Sequence, residues 1–192
     1  MQADKAILLW LNGWVGRLPW LDAVVRLLVG DYLVPVLLAL SLLSLWFTGA
    51  AASFRERNQR AVMTALLGLG LANLAVEGLN QFIFRPRPFA DLQVSLLFYR
   101  PTDSSFPANP AAIAFAVATG VWLWNRKVGI ALAVVGILFA LARVYAGIFY
   151  PLDGVGGAAI GVAASLVAMG LLRLSEPLPT LALRLGRSIY LA

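Results

Sequence analysis

The sequence predicts an all-α integral membrane protein, and three observations carry that expectation. Of its 192 residues, 61% are hydrophobic and only 12% are charged, against about 45–50% and about 25% in soluble domains. The mean hydropathy is +0.84, and the apolar residues collect in runs near the roughly 20 residues that a helix needs to cross a bilayer. The charges fall between those runs, so the net charge of +6 points to anionic lipid head groups rather than to nucleic acid. Cys and His are both absent. That excludes disulfides, thiolate chemistry and imidazole catalysis, and it removes the usual transition-metal ligands. No cofactor, metal or nucleic-acid partner is expected.

Residues 1–192 read as a single membrane domain in three parts. Residues 1–30 are apolar but broken by Arg17, Pro19, Asp22 and Arg26, so they predict interfacial or broken helices rather than a span. Trp10, Trp14 and Trp20 suit a membrane-interface belt. No basic stretch leads into a compact apolar core with a small-residue cleavage site, so this segment is expected to stay on the chain. Residues 31–172 predict a bundle of about five transmembrane helices, at 32–48, 61–84, 110–124, 128–150 and 154–172. Residues 173–192 predict an amphipathic helix on the bilayer surface, with Arg184 and Arg187 among Leu181, Leu183, Leu185 and Ile189.

Five spans put residues 49–60, 125–127 and the tail on one side. That side carries Arg55, Arg57, Arg60, Arg126, Lys127, Arg173, Arg184 and Arg187 against Glu56 and Glu176, while the remainder balances seven basic with seven acidic residues. The positive-inside rule then places the short loops in the cytoplasm and the long polar loop 85–109 outside. Long loops often carry function.

Three polar clusters share one membrane level in this topology: Asn80 to Phe89, Ser104 to Ala112, and Ala142 to Asp153. Arg85-Pro86-Arg87-Pro88-Phe89 and Arg143-Val144-Tyr145 through Tyr150-Pro151-Leu152-Asp153 closely resemble signatures of the type 2 phosphatidic acid phosphatase superfamily, and residues 12–22 resemble its Asn-Gly to Leu-Asp-Ala opening. Within that superfamily the chain looks most like the bacterial undecaprenyl-pyrophosphate phosphatases. The resemblance implies the fold of that family and a site for a lipid phosphate or pyrophosphate. The family signatures are Lys-x6-Arg-Pro, Pro-Ser-Gly-His, and Ser-Arg-x5-His-x3-Asp. In that pattern one His attacks phosphorus, the Asp orients it, a second His protonates the leaving oxygen, and Lys, Arg and Ser-Gly donors hold the phosphate.

Laid residue by residue on this chain, the nucleophile place is Phe149 and the acid place is Pro110. The Lys place is Asn80, and the two Ser places are Ala108 and Ala142, while Arg87, Arg143 and Asp153 remain. Phe cannot attack phosphorus and Pro has no side-chain proton to give. Two guanidinium groups still suit phosphate oxygens in bidentate geometry.

Several of these residues also have plain structural accounts. Asn109-Pro110 suits the start of a helix, Asn as N-cap and Pro at the first helical position, although exposed amides there also suit an anion. Arg85-Pro86-Arg87-Pro88 reads equally as a kinked cationic loop entry. Arg143 and Glu77 sit in or near spans, where an ionisable group is paired or functional; a salt bridge from Arg143 to Glu77 or to Asp153 satisfies both. Asp153 has no imidazole to orient and is expected to take an Arg partner. Phe106, Phe149 and Tyr150 suit packing, and Gly157 with Gly161 suits close helix packing, within the chain more often than between two chains.

The leading expectation is a pseudophosphatase. It recognises a lipid phosphate, polyprenyl phosphate foremost, at the outer face of a bacterial-type inner or plasma membrane. Arg87, Arg143, Asn80, Asn109 and Arg85 bind the phosphate, and Asp153 and Glu77 support them as ion-pair partners. Two alternatives stay open. One is an accessory structural subunit of a membrane complex or homo-oligomer with no ligand; the other is an enzyme that hydrolyses phosphate without His, using Tyr145, Asp153 or an activated water.

Overall fold

The computed structural model describes residues 2–49 and 51–188, and among them every regular element is a helix. In order these are α1 (Gln2–Asn12), α2 (Pro19–Val29), α3 (Leu33–Phe47), α4 (Ala52–Asn80), α5 (Pro88–Asp91), α6 (Asn109–Trp122), α7 (Arg126–Tyr145), α8 (Pro151–Leu174) and α9 (Leu178–Ser188). Pro stands in the first turn of α2, α5, α6 and α8, where its fixed φ and missing N–H cost nothing.

Helix α6 is the centre of the bundle, wrapped by α4, α7 and α8. Small residues make this possible. A Cβ on Gly157 or Gly161 of α8 would collide with the carbonyl oxygens of Ala108 and Ala112, and one on Gly120 of α6 would meet the backbone of Ala65. The Gly157/Gly161 face is therefore consumed inside the chain, where it lets backbones approach closely. Ser165 Oγ donates to the Ala116 carbonyl at 2.6 Å across the same seam. The outer surface is apolar instead: Leu40, Leu74, Val155 and Leu166 are all more than half exposed, which suits lipid rather than water as the solvent.

Three helices, α4, α7 and α8, are long and apolar enough to cross a membrane. The α2–α3 pair, bent by 55°, makes a fourth. The expected five spans thus become three or four by length, because α6 has only 14 residues and rises about 21 Å, short of the roughly 30 Å hydrocarbon core. Its environment is the neighbouring helices, which bury Ala111, Ala112, Ala114 and Ala116.

The two ends of the bundle differ. At one end Arg60 binds Glu176 and Thr180, fixing α9 to α4, and Trp124 Nε1 donates to Thr64 Oγ1 at 2.9 Å. Leu183 of α9 is buried, whereas Leu178, Leu181 and Leu185 are exposed. Ile189 of the expected amphipathic tail lies outside the described residues, as does the side chain of Arg187. At the other end α1, α2 and the long loop gather over the end of α7 and the starts of α6 and α8.

Candidate functional site

The second end is built on arginines and the groups that hold them. Arg85, just past α4, reaches two carboxylates at once: Asp4 of α1 at 2.7 Å, and Asp153 in the first turn of α8. Asp153 is fully buried, and its other oxygen accepts from Ser105 Oγ and, at 3.0 Å, from the Tyr150 backbone N–H. The second oxygen of Asp4 accepts from the Leu152 N–H at 2.9 Å. The Arg85 guanidinium lies 4.1 Å from the Tyr150 ring centre. Burial pulls this guanidinium down, but the Asp4 and Asp153 carboxylates outweigh burial and hold its pKa above the ordinary value. These buried carboxylates are tolerated because each of their oxygens accepts at least one hydrogen bond.

Arg87 closes the next layer. Its Nε donates to the Asp103 carbonyl at 3.0 Å, its Nη2 to the Asp103 carboxylate at 2.8 Å, and its Nη1 to the Ile148 carbonyl at 3.2 Å. Ile148 is in place because α7 ends at a left-handed glycine. Gly147 has φ of 76°, and the Ile148 N–H returns to the Arg143 carbonyl at 3.0 Å, a glycine-ended C-cap that leaves the chain to turn sharply. The turn sends Phe149 into the core at 1% exposure, beside Tyr150 and Ile148.

Arg143 leaves the last turn of α7 and is 94% buried. Its Nη2 donates to the Val29 carbonyl and to the Asp31 carboxylate, both at 3.1 Å. The rings of Phe139 and Phe98 lie 4.8 Å and 5.5 Å from its guanidinium carbon. Its Nε is buried and meets no acceptor. Asp31 also lies beside Tyr99, whose pKa is raised, by burial first and then by that carboxylate.

Three expectations are corrected here. Arg143 pairs with neither Glu77 nor Asp153 but with Asp31 at the α2–α3 break, because Asp153 is already claimed by Arg85. Glu77 lies exposed on α4, and no ion pair among the described residues includes it. Asn109 does not cap α6. It opens the helix, Ala108 occupies the capping place without a side-chain bond, and the Asn109 amide instead donates to Asn73 at 2.9 Å. Asn80 and Asn109 each keep a buried side-chain oxygen without a partner. Pro110 sits in the first turn of α6 as expected.

The two residues offered as substitute nucleophiles are both engaged. Tyr145 donates its hydroxyl to Asp22 at 2.8 Å inside the core, and Asp153 is surrounded as described. Asn12 donates to the Ser95 and Tyr145 carbonyls at 2.8 Å each, so Asn12 and Asp22 tie the opening segment to the end of α7. Sequence reasoning missed Asp4, Asp31 and Asp103 as partners of the arginines, and Ser105 as a donor to Asp153. An isolated acidic residue beside an apolar run carries no local signal of which cation it meets.

Residues 61–175 match the PAP2 superfamily. The chain belongs to that superfamily. Among curated relatives it is 28% identical over 169 residues to the undecaprenyl-diphosphatase BcrC of Bacillus subtilis, covering 88% of this chain and 84% of that one. It is also 25% identical over 159 residues to the putative undecaprenyl-diphosphatase YbjG of Escherichia coli, covering 82% and 77%. Among solved structures it resembles LpxE of Aquifex aeolicus, with a TM-score of 0.66, 27% identity, and coverage of 86% of this chain and 93% of that chain. The PAP2-type phosphatidylglycerolphosphate phosphatase of Bacillus subtilis, with a TM-score of 0.63, 22% identity, and coverage of 92% and 87%, shares the fold. The PAP2 match takes in Arg85, Arg87, Arg143 and Asp153. Asp4, Asp22 and Asp31, which reach the site from α1, α2 and the break after it, lie outside it.

Proposed function

We propose that this PAP2 protein binds a lipid phosphate, polyprenyl phosphate foremost, and does not hydrolyse it. The observation that carries the reading is Arg143: a guanidinium 94% buried, with an Nε that has no acceptor, retained where the motif spacing gives Pro110 and Phe149 instead of imidazoles. An ionisable group held this deep is costly, and an anion that fills the fork accounts for its retention. The carboxylates now facing Arg143 and Arg87 are Asp31 and Asp103, which are 49% and 62% exposed. A phosphate arriving from the membrane surface can take their places without uncovering a buried charge. Arg85 does not share this freedom, since both its carboxylates are fully buried; we assign it to holding α1 and α8 together. The excess of basic residues at the α9 end supports an orientation with this site at the outer face of a bacterial-type inner membrane.

A second reading, an accessory subunit with no ligand that serves a membrane complex or a second copy of itself, draws on the internal pairing of all three arginines. The two readings separate in a binding titration. For protein reconstituted in nanodiscs and titrated with undecaprenyl phosphate, Arg87→Ala and Arg143→Ala should each weaken binding about 10- to 100-fold, since a charge-assisted contact contributes roughly 1.5–3 kcal/mol. Unchanged binding together with a lower melting temperature would replace our reading with the accessory one.

A further inference from the structure

The chain between α5 and α6 has no regular structure where it crosses the arginines, yet it is pinned there. The Ser95 N–H donates to the Asn12 side-chain oxygen, and the Asn12 amide donates back to the Ser95 carbonyl, both at 2.8 Å. Val94 packs against the bare Gly147, where a Cβ would come within 3.2 Å of it. The Phe98 ring then lies 5.5 Å from the Arg143 guanidinium carbon, and the Phe98 and Tyr99 ring centres are 4.2 Å apart.

These contacts bring Tyr99 to the carboxylate that Arg143 grips. Asp31 accepts from Arg143 Nη2 at 3.1 Å and stands beside the Tyr99 hydroxyl. Asp103, which accepts from Arg87 at 2.8 Å, acts on the same hydroxyl through its charge, and Arg87 is within electrostatic reach of Arg143. Tyr99 therefore stands among both arginines and both of their solvent-reached carboxylates. Desolvation first, and then Asp31, raise the pKa of its hydroxyl, so at neutral pH the group is a donor. The residue is 58% exposed, and a ligand coming from the membrane surface can reach it.

We propose that Tyr99 is a phosphate-binding residue: once Asp31 is displaced, its hydroxyl donates to an oxygen of the lipid phosphate that takes the carboxylate's place on Arg143. The inference rests on the lipid-phosphate reading above and adds to it a residue outside the three polar clusters of the sequence. The Asp31 carboxylate oxygens stand where phosphate oxygens would, so the donors that face the one face the other. A phosphate also has more terminal oxygens than a carboxylate, and Tyr99 supplies a donor that the Arg143 fork does not. A hydroxyl bonded to an anion makes a charge-assisted contact. If Tyr99 served only to hold Asp31, the sign would be opposite: its hydroxyl would favour the ligand-free pairing, and its loss would release Arg143.

The test titrates the full chain in nanodiscs with undecaprenyl phosphate. Tyr99→Phe keeps the ring against Phe98 and removes only the hydroxyl. It should weaken binding about tenfold, the effect of one hydrogen bond to a charged group, with the melting temperature unchanged. The double variant Asp31→Asn/Tyr99→Phe should likewise bind about tenfold more weakly than Asp31→Asn alone, because the hydroxyl acts on the phosphate and not on the carboxylate. Unchanged or tighter binding by Tyr99→Phe, or a double variant no weaker than Asp31→Asn, would overturn the role of Tyr99; a persisting loss of affinity in Arg143→Ala would then leave the phosphate reading standing. Failure of the parent protein to bind undecaprenyl phosphate would overturn both.

Discussion

Arg143 and Asp31 show how little holds the central cation. The guanidinium spends one nitrogen on a carbonyl and a carboxylate while its Nε finds nothing, and the carboxylate is itself half in solvent. An exposed partner of this kind contributes about 0–1 kcal/mol, so it competes weakly with a phosphate dianion. Asp31→Asn should therefore tighten undecaprenyl phosphate binding by up to about fivefold with little change in melting temperature. A large loss of stability with no gain in affinity would mark the pair as structural. The motif spacing pointed to Arg87, Arg143 and Asp153 as candidates. It was silent about their partners. Asp31 lies 112 positions from Arg143, and Asp4 lies 81 from Arg85; such pairs are set by how whole helices pack. Glu77 was legible as an unusual charge in a span, but its pairing was not, since Asp31 reaches Arg143 from an element outside the apolar runs.

Hydropathy breaks and Pro positions were sufficient to locate α3, α6, α7, α8 and the apolar part of α4, because each is an apolar run opened by Pro or ended by a charged or Gly-containing turn; residues 52–60, expected in a loop, instead form the charged first turns of α4, where hydropathy gives no helix signal. The shortness of α6 was legible in its expected bounds of 110–124, but not whether so short a helix faces lipid or protein. Its apolar composition suits lipid and protein equally, and only its packing against α4, α7 and α8 decides between them. Helix α9 was visible as an amphipathic pattern, yet its anchor was not: Arg60 of α4 takes Glu176 and Thr180 across the far end of the bundle. Hydrogen bonds from Arg60 first and Thr180 next hold the Glu176 carboxyl below its ordinary pKa. A lowered acid pKa contributes stability above the unfolded value and loses it as the pH falls through the folded one. Docking of α9 should therefore be intact at neutral pH and weaken once the pH falls below the usual carboxylate range. Protection of residues 178–185 against hydrogen exchange, relative to the intrinsic rate at each pH, should fall there, and Glu176→Gln should reproduce the loss at pH 7. Exchange rates in α9 that ignore both changes would remove Glu176 from the anchor.

The molecule as a whole is an apolar shell around a small-residue seam, with its polar groups gathered at two ends. One end is a basic, helix-capped surface. The other is closed by the N-terminal helices, which deliver Asp4, Asp22 and the neighbouring Asp31 onto residues of the PAP2-matched region. At that end Phe149 is buried and Tyr145 and Asp153 are engaged, while the Arg87 and Arg143 forks face carboxylates that solvent reaches. Binding without cleavage is the chemistry we propose for it. The most direct measurement is a single-turnover experiment with radiolabelled undecaprenyl diphosphate and an excess of reconstituted protein. The account predicts that the lipid is retained intact, with no burst of inorganic phosphate and no labelled protein. Release of phosphate at an ordinary enzymatic rate, on the order of 1 to 10³ per second, and abolished by Arg143→Ala, would contradict it.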